Sequence, residues 1–385
     1  MNEAKTLVTK VFNEVADALE TGVFGSRIKV GITLLGSEHG VQEVLRGADL
    51  AAKTYPDIEV ILIGPEVKSE LRRYDADCEK TQSELMEELL LAGEIDSAVT
   101  MHYNFPIGVA TVGRVITPGR GREMFLATTT GISATDRLEA MVKNALYGIA
   151  AAKAAGISSP SVGILNVDAA RAVERSLQKL SDSGYSINFA ESLRKDGGSV
   201  MRGNDLLMGA PDVMVADTLT GNVLMKVFSA YTTGGDYESL GYGYGPGVGE
   251  GYDKIIHILS RASGAPVVSG AIRYACDMAK GKLLQVAAAE FAAAHKAGFK
   301  DLFKKEAKAE STAQEAEVVV PPVKVVTEEI AGIDILDLEA ATQEVWKAGV
   351  FASTGMGCTG PVILVATPDL EKARKILAKA GYISS

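Results

Sequence analysis

The sequence predicts an α/β protein built on a doubly wound, largely parallel sheet. The first observation is the stretch 27–64, which reads as a β-branched strand, a short turn, a helix that stops near Pro56 and a second strand. A connection of that length between two strands is a βαβ unit. The second observation is that the strand candidates are continuously apolar, which is typical of parallel strands covered on both faces. The third is the frequency of glycine, 40 in 385 residues, which suits the turns of α/β enzymes.

The remaining elements follow from the same patterns. Leu7, Val8, Val11, Phe12, Val15 and Leu19 recur at helical spacing, which predicts an amphipathic helix docked on the body of the chain or on a partner. Alanine-rich helices are predicted at 139–154 and 283–297. The further strand candidates are Ser97–Met101, Met124–Thr128, Val162–Val167, Ile187–Phe189, Val213–Asp217, Pro266–Ser269 and Pro361–Ala366.

Composition shifts divide the chain into four parts. We expect an N-terminal helix in 1–25, an α/β body in 26–302 and a charged, alanine-rich linker in 303–329 that contains a double proline. The last part, 330–385, holds a helix, a glycine-rich loop, a buried strand and a second helix. It is small for an independent domain, so we expect it to complete the main sheet.

Charge and cysteine content narrow the classes of function. A net charge of −10 argues against nucleic-acid binding, and no apolar run approaches the roughly 18 residues of a membrane helix. The three cysteines at 78, 276 and 358 form neither a disulfide framework nor a CxxC metal pair. The N-terminus has no signal-peptide pattern. We therefore expect a cytoplasmic protein without a bound metal, membrane contact or nucleic-acid partner.

The first candidate loop is Gly36–Gly40, between the first strand and the first helix. Gly36 and Ser37 are small enough for backbone N–H groups to approach an anion at a helix N-terminus. His39 is a candidate for activating a catalytic group nearby. The alternative is a plain tight turn, and the pattern is not the GxGxxG of a dinucleotide site.

The second candidate loop follows the strand that ends at Asp217. Thr218, Thr220 and Asn222 then offer two hydroxyls and an amide beside Gly221, which suits binding of phosphate or carboxylate. The acid Asp217 beside them is a candidate of the same site. The same residue types also suit ordinary capping of a helix N-terminus.

A third candidate region is the stretch 232–255, whose glycines argue against regular structure. It is either a flexible surface loop or a cradle for phosphate or a cofactor. Just beyond it, Ser269 and Arg273 are candidates for substrate binding, since an arginine can hold an oxyanion with two hydrogen bonds.

The fourth candidate is the loop that contains Cys358, flanked by Gly357 and Thr359. Glycines on either side leave backbone amides open and the sulfur unshielded. A nucleophile at such a turn can attack an acyl group while neighbouring N–H groups hold the oxyanion. The alternative is a small buried hydrophobic residue, which is the usual fate of a free cysteine.

Three segments resemble the phosphate acyltransferase family of phospholipid synthesis: "KVGITLLGSEHGVQEVLRGADLAAKTYPDIEVILIG", "APDVMVADTLTGNVLMK" and "GCTGPVILVATPDLEKARKILAKA". That resemblance implies a three-layer sandwich of the isopropylmalate dehydrogenase and phosphotransacetylase type. Two further motifs, "TGMGCTGPVILV" and "GYGYGPGVGEGYDKIIHIL", resemble the alpha subunits of component C of glycine, sarcosine and betaine reductases. This second resemblance covers the full length of the chain.

The second resemblance implies an anaerobic amino-acid-fermenting cell and a complex in which an acetyl thioester on cysteine is cleaved by phosphate to acetyl phosphate. Cys358 matches the acetylated cysteine of that family. The resemblance also implies a beta subunit like the ketoacyl synthases and a selenoprotein donor, component A, with inorganic phosphate as co-substrate and no cofactor on this chain. A homodimer is a further expected assembly.

Two other functions remain open at the level of sequence. The chain could be a stand-alone phosphate acyltransferase that uses carrier or coenzyme A thioesters. It could also be a non-catalytic subunit that positions the beta chain. A dehydrogenase of the same fold is disfavoured, because the sequence lacks GxGxxG and a cluster of metal-binding aspartates.

Overall fold

The computed structural model describes residues 8, 9, 11, 12, 15, 16, 19, 22, 26–195, 197–303, 320–333, 337–357 and 360–383. The chain divides into two compact units. Unit 1 comprises residues 1–165 and 185–296, and unit 2 comprises residues 166–184 and 297–385.

The strands are β1 Ile28–Thr33, β2 Ile58–Gly64, β3 Arg73–Asp75, β4 Ser97–Thr100, β5 Val109–Ile116, β6 Glu123–Ile132, β7 Ser161–Leu165, β8 Asn188–Phe189, β9 Val200–Met201, β10 Val213–Val215, β11 Gly245–Gly249, β12 Ile256–Ile258, β13 Glu328–Ala331, β14 Ala352–Gly357 and β15 Gly360–Val365. The helices are α1 Val41–Thr54, α2 Glu79–Leu91, α3 Arg137–Ala154, α4 Ala170–Asp182, α5 Gly203–Met208, α6 Thr218–Ala230, α7 Ala265–Lys280, α8 Leu283–Lys296, α9 Leu338–Lys347 and α10 Leu370–Lys379. Short 3-10 turns lie at Phe299–Asp301 and Thr367–Asp369.

Unit 1 is built on a twelve-stranded sheet in the order β3-β2-β1-β4-β12-β11-β5-β6-β10-β7-β8, with β9 beside β7. The pairs β12–β11, β11–β5 and β5–β6 are antiparallel, and the other pairs of this sheet are parallel. The predicted βαβ unit is β1-α1-β2, with Ile28 opposite Ile58 and Thr33 opposite Ile63. The α/β class with a largely parallel sheet is therefore confirmed.

Helices cover both faces of the sheet, as the doubly wound class requires. On one face, α1 and α7 pack against alternate residues of β1 and β2, and this core contains Val30, Ile32, Val44, Leu45, Val60, Leu62, Val267 and Val268. On the other face, α2 packs against the residues between them, and this core contains Ile61, Ile63, Met86, Leu89 and Ala98. Because side chains alternate along a strand, continuous apolar runs feed both cores.

One predicted strand is wrong. Residues Pro266–Ser269 form the first turn of α7, which begins after Gly264 with a proline in the first turn. Proline suits that position because its missing N–H has no partner there in any helix. The β-branched Val267 and Val268 are buried beside α1, so their apolar run reflects burial and not strand geometry.

The prediction that 232–255 lacks regular structure is also wrong in part, because β11 occupies Gly245–Gly249. Its glycines permit close packing. A Cβ on Gly245 would lie 1.8 Å from the backbone oxygen of Val112 on the neighbouring strand, and one on Gly247 would lie 2.4 Å from the ring of Phe105. The glycines therefore serve a tightly covered strand.

Unit 2 corrects the expectation that residues 330–385 complete the main sheet. β13, β15 and β14 form a separate antiparallel sheet in that order. α9 and α10 supply its own core, which contains Ile330, Ala341, Val345, Ile363, Val365, Ala373 and Leu377.

Two predicted segments fall largely outside the described residues. Of the predicted linker at 303–329, residues 304–319 lie outside them. In the N-terminal segment, Val8, Thr9, Val11, Phe12, Val15, Ala16 and Leu19 are helical and exposed, so the expected docking of an apolar face on the body is not seen for these residues. No helix in the described part of the chain is long and apolar enough to cross a membrane.

Candidate active site

A cluster of hydrogen-bonded polar groups in unit 1 lies at the carboxyl ends of β1, β4 and β12. These strands are parallel neighbours, so the segments that follow them meet at one edge of the sheet. Ligands of open α/β sheets bind in this position. Here the cluster is built by the loop 34–40 after β1, the loop 259–264 after β12, the segment 231–244 and one side chain from α6.

The loop after β1 is fixed by hydrogen bonds to the loop after β12. The backbone N–H of Glu38 donates to the carbonyl of Arg261 at 2.9 Å, and the imidazole Nε2 of His39 lies 3.2 Å from the carbonyl of Ala262. The Ser37 hydroxyl accepts the N–H of His39 at 3.1 Å. Gly36 has φ +106°, a backbone conformation that favours glycine. The loop is thus a turn that hydrogen bonds join to the loop after β12.

Tyr237 links the segment 231–244 to this turn. Its ring lies 5.3 Å from that of His39, and its hydroxyl donates to Oε1 of the buried Glu43 at 2.8 Å. The same carboxylate oxygen accepts the N–H of Ala265 at 2.8 Å, at the start of α7. The ring sits over Gly264, where a Cβ would lie 2.0 Å from it. One buried carboxylate therefore joins α1, α7 and the glycine-rich segment.

The chemical centre of the cluster is Lys226 on α6. Its ammonium donates to Oε1 of Glu238 at 2.8 Å and also to the hydroxyl of Ser260. Glu238 is buried, and its other oxygen accepts the hydroxyl of Ser263 at 3.1 Å. The Lys226 side chain is 46 % exposed, so the cluster lies at the surface of unit 1. Tyr244 is buried against the same group.

Electrostatics keep this lysine charged. Burial works against the ammonium, but the hydrogen bond and negative charge of Glu238 outweigh it and raise the pKa of Lys226. Burial also raises the pKa of the Tyr244 phenol, which therefore remains protonated. At neutral pH the cluster holds a Lys226–Glu238 ion pair among hydroxyl groups, and the third N–H of the ammonium is left to donate to an anionic ligand.

The structure brings only some predicted site residues together. Gly36, Ser37 and His39 lie in this cluster. Asp217, Thr218, Thr220 and Asn222 do not, because they follow β10. The three antiparallel pairs between β12 and β6 reverse the direction of β10, so its carboxyl end lies at the opposite edge of the sheet.

At that opposite edge, the contacts of the predicted residues fit the capping alternative. The Asp217 side chain accepts the N–H of Thr220 at 3.1 Å and its hydroxyl at 2.6 Å. The hydroxyl of Thr218 lies 3.0 Å from that of Thr128, and the amide of Asn222 donates to the carbonyl of Thr129 at 3.0 Å. These bonds begin α6 and hold it against β6. A role in ligand binding for them stays a prediction.

Arg273 and Ser269 lie on α7, away from the polar cluster's contacts. The guanidinium of Arg273 donates to both carboxylate oxygens of Asp57 at 2.9 Å and to Asp277 at 2.9 Å. Asp57 precedes β2, at the amino end of that strand. Ser269 is buried within α7. Two carboxylates thus already satisfy the guanidinium predicted to hold an oxyanion.

The predicted nucleophile lies outside the described residues. Cys358 and Thr359 are not described, and Gly357 is described only as the last residue of β14. The other two cysteines are described. Cys276 is buried, and burial raises the pKa of its thiol to about 11. Cys78 is exposed before α2, and hydrogen bonds with Thr81 lower the pKa of its thiol.

Sequence reasoning missed the centre of the cluster, Lys226 with Glu238 and Ser260. A signal existed for the lysine, since it is the one ionisable residue between Thr218 and Ala230. Glu238 lies in the glycine-rich stretch and carried no comparable signal. Among the described residues, no group of three or more histidine, cysteine, aspartate or glutamate side chains could hold a metal ion.

The chain belongs to the Fatty acid synthesis protein family, whose sequence model matches residues 28–364. More particularly, it is 57 % identical over 387 residues to the glycine/sarcosine/betaine reductase complex component C subunit alpha of Peptoclostridium acidaminophilum, and the match covers the whole of both chains.

More distant relatives match parts of the chain. The phosphate acyltransferase of Thermus thermophilus is 27 % identical over 237 residues, which cover 52 % of this chain and 70 % of that protein. A crystal structure of a branched-chain phosphotransacylase from Enterococcus faecalis aligns with a TM-score of 0.47 and 16 % identity, over 66 % of this chain and 99 % of the other. The resemblances inferred from the sequence motifs, to component C alpha subunits and to phosphate acyltransferases, are confirmed.

Proposed function

We propose that this chain is the alpha subunit of an acetyl-phosphate-forming component C, and that it transfers an acetyl group through a thioester on Cys358. The observation that carries the proposal is the 57 % identity to a component C alpha subunit over the entire chain, which includes the segment around Cys358. The phosphate acyltransferase relatives support the broader reaction class, acyl transfer that involves phosphate.

The chemistry needs a thioester, a phosphate and a group that stabilises the oxyanion. A phosphate oxygen attacks the carbonyl carbon of the cysteine thioester, the C–S bond breaks, and the sulfur leaves as a thiolate. The products are acetyl phosphate and free Cys358, so atoms and electrons balance without a redox cofactor. Within unit 1, the Lys226 cluster supports phosphate binding, because the ammonium has three N–H donors and Glu238 and Ser260 accept two of them.

The proposal also includes the partners of this chain. The relative from Peptoclostridium acidaminophilum is named as a subunit of a reductase complex. We propose that this chain likewise works in a complex, with a ketoacyl-synthase-like beta subunit and a selenoprotein that delivers the two-carbon group.

The test is acetylation of the purified chain by acetyl phosphate, the reverse of the proposed step, followed by mass spectrometry of its peptides. We expect an acetyl group on the peptide that contains Cys358, and loss of that label in Cys358→Ser. The matched control is Cys78→Ser, because Cys78 is exposed and its lowered thiol pKa favours non-specific acetylation. Label that disappears in Cys78→Ser and persists in Cys358→Ser would contradict the nucleophile.

The same preparation separates two other functions. Phosphate-dependent cleavage of acetyl-coenzyme A by the lone subunit, unchanged in Cys358→Ser, would favour a stand-alone phosphate acyltransferase, the activity named for its distant relatives. Label found on an added beta subunit and absent from this chain would favour a non-catalytic role.

A further inference from the structure

Unit 2 contains a cavity of about 580 Å³ that the proposed reaction does not use. The cavity lies among β13, α10, the beginning of α4 and the segment after α10. Its lining includes Arg171, Ile330, Glu371, Arg374, Lys375 and Ile383. All of these residues belong to one compact unit, so the cavity is a feature of unit 2 alone.

The charges around the cavity are unbalanced. Arg171 pairs with Glu174 at 2.9 Å. Within the described part of the chain, Arg374 and Lys375 have neither a hydrogen bond nor an ion pair, although Glu371 lies on the same helix and lines the same cavity. Arg374 and Lys375 are both exposed and both line the cavity, so an anion bound there would meet two cations that no carboxylate of the described chain occupies.

The size and the remaining walls indicate what else the ligand carries. A volume of 580 Å³ is far more than inorganic phosphate fills, and it falls in the usual range for organic ligands. Ile330, Ala378 and Ile383 give the cavity an apolar wall. β13 pairs only with β15 among the described strands, so its outer edge offers free backbone N–H and C=O groups to a ligand.

We infer that this cavity binds a phosphorylated organic molecule of about nucleotide size. Its phosphate groups lie against Arg374, Lys375 and Arg171, and its carbon skeleton lies against Ile330 and Ile383. The inference does not depend on the thioester mechanism. It assigns unit 2 a small-molecule site of its own. The site includes β13, which pairs with β15, and β15 is the strand that directly follows Thr359 in the chain.

The test is isothermal titration calorimetry of the full-length chain with ADP, coenzyme A and inorganic phosphate as probes. We expect at least one of the two organic phosphates to bind saturably and more tightly than inorganic phosphate. Arg374→Gln and Lys375→Gln should each weaken that binding about tenfold, the usual effect of losing one charge-assisted contact. Lys379→Gln is the matched control, since it removes the same charge from α10 outside the cavity lining.

Absence of saturable binding by both organic probes would overturn the inference, and so would an equal loss of affinity in Lys379→Gln. Filling the cavity with Ala378→Phe provides a second variant, which should abolish binding while circular dichroism shows a folded chain. Binding in Cys358→Ser should match that of the unaltered chain. Ligand binding to the cavity can therefore be disproved while the proposed function stands. The proposed function can likewise be disproved while the cavity still binds its ligand.

Discussion

At the scale of single residues, His257 is the most unusual buried group in unit 1. It lies in β12 with its ring 4.9 Å from that of Tyr274, and neither ring nitrogen has a hydrogen-bond partner among the described residues. Burial alone lowers the pKa of this histidine from 6.5 to about 3. The folded chain therefore keeps His257 neutral, whereas the unfolded chain protonates it below pH 6.5.

This shift predicts a pH dependence of stability. Because the folded pKa is depressed, the unfolded state binds the extra proton between pH 6.5 and 3, and the free energy of unfolding falls as the pH drops through that window. The loss attributable to His257 is about 2 kcal/mol between pH 7 and pH 5.

Urea unfolding at both pH values measures the effect in the unaltered chain and in His257→Leu. We expect the variant to lose less free energy of unfolding between pH 7 and 5 than the unaltered chain loses. Equal losses in the two proteins would show that the imidazole is protonated in the fold.

Lys226 gives the second prediction at this scale. Lys226→Met should lower acetyl phosphate formation at least about tenfold and raise the KM for phosphate, since it removes the cation of the cluster. It should also destabilise the chain, because Glu238 is left buried and unpaired.

A double variant separates function from stability. Lys226→Met combined with Glu238→Gln removes the unpaired charge, so we expect stability to recover while activity stays low. Steady-state kinetics and urea unfolding of the single and double variants provide the measurement. Activity that returns with stability would mean that Lys226 acts only in folding.

At the scale of elements, the position of Lys226 depends on how α6 packs on β6. The two elements approach so closely that a Cβ on Gly221 would lie 1.8 Å from the backbone oxygen of Thr128. The hydrogen bond from Asn222 to Thr129 holds the same contact. Without a glycine at this position, the helix would have to move away from the strand.

Gly221→Ala should therefore lower the free energy of unfolding by about 2–3 kcal/mol, the usual cost of overpacking a tight site, and reduce activity by displacing Lys226. Gly203→Ala is the matched control. Gly203 also lies in the first turn of a helix, but a Cβ there meets no atom within 4 Å. Urea unfolding should show little change for it, and an equal loss in both variants would contradict the packing argument.

The helices and strands also show which elements a local sequence pattern can predict. The first βαβ unit was predictable because its strands are β-branched and its helix stops before Pro56. The first turn of α7 was mistaken for a strand because Val267 and Val268 are buried, and a short apolar run looks the same in a buried helix and a buried strand. β11 was missed because glycine is unusual in strands. Its glycines are required by the close approach of Val112 and Phe105, which are distant in the sequence.

At the scale of the whole molecule, the chain has two compact units, and unit 2 has a hydrophobic core of its own. Trp346, the single tryptophan, packs against that core, and its indole N–H donates to the carbonyl of Ala352 at 2.8 Å. Its fluorescence therefore reports the unfolding of unit 2, whereas far-ultraviolet circular dichroism is dominated by the larger unit 1.

We expect these two signals to change at different urea concentrations, because separate cores permit separate transitions. Val345→Ala, a cavity in the core of unit 2, should shift the fluorescence midpoint to lower urea and leave most of the dichroism transition in place. Coincident midpoints in both proteins would show that the units unfold as one.

By itself, the sequence determined the α/β class, the first βαβ unit, the turn at Gly36–His39 and the family, because these depend on local periodicity and on motifs contiguous in the chain. Only the tertiary structure decided which polar residues meet. The antiparallel strands in the centre of the sheet send the Asp217 loop to the opposite edge, and Asp57, far away in sequence, satisfies Arg273. The pairing of Lys226 with Glu238 likewise joins a helix to a glycine-rich segment. Such contacts depend on strand order and direction, which no local pattern encodes.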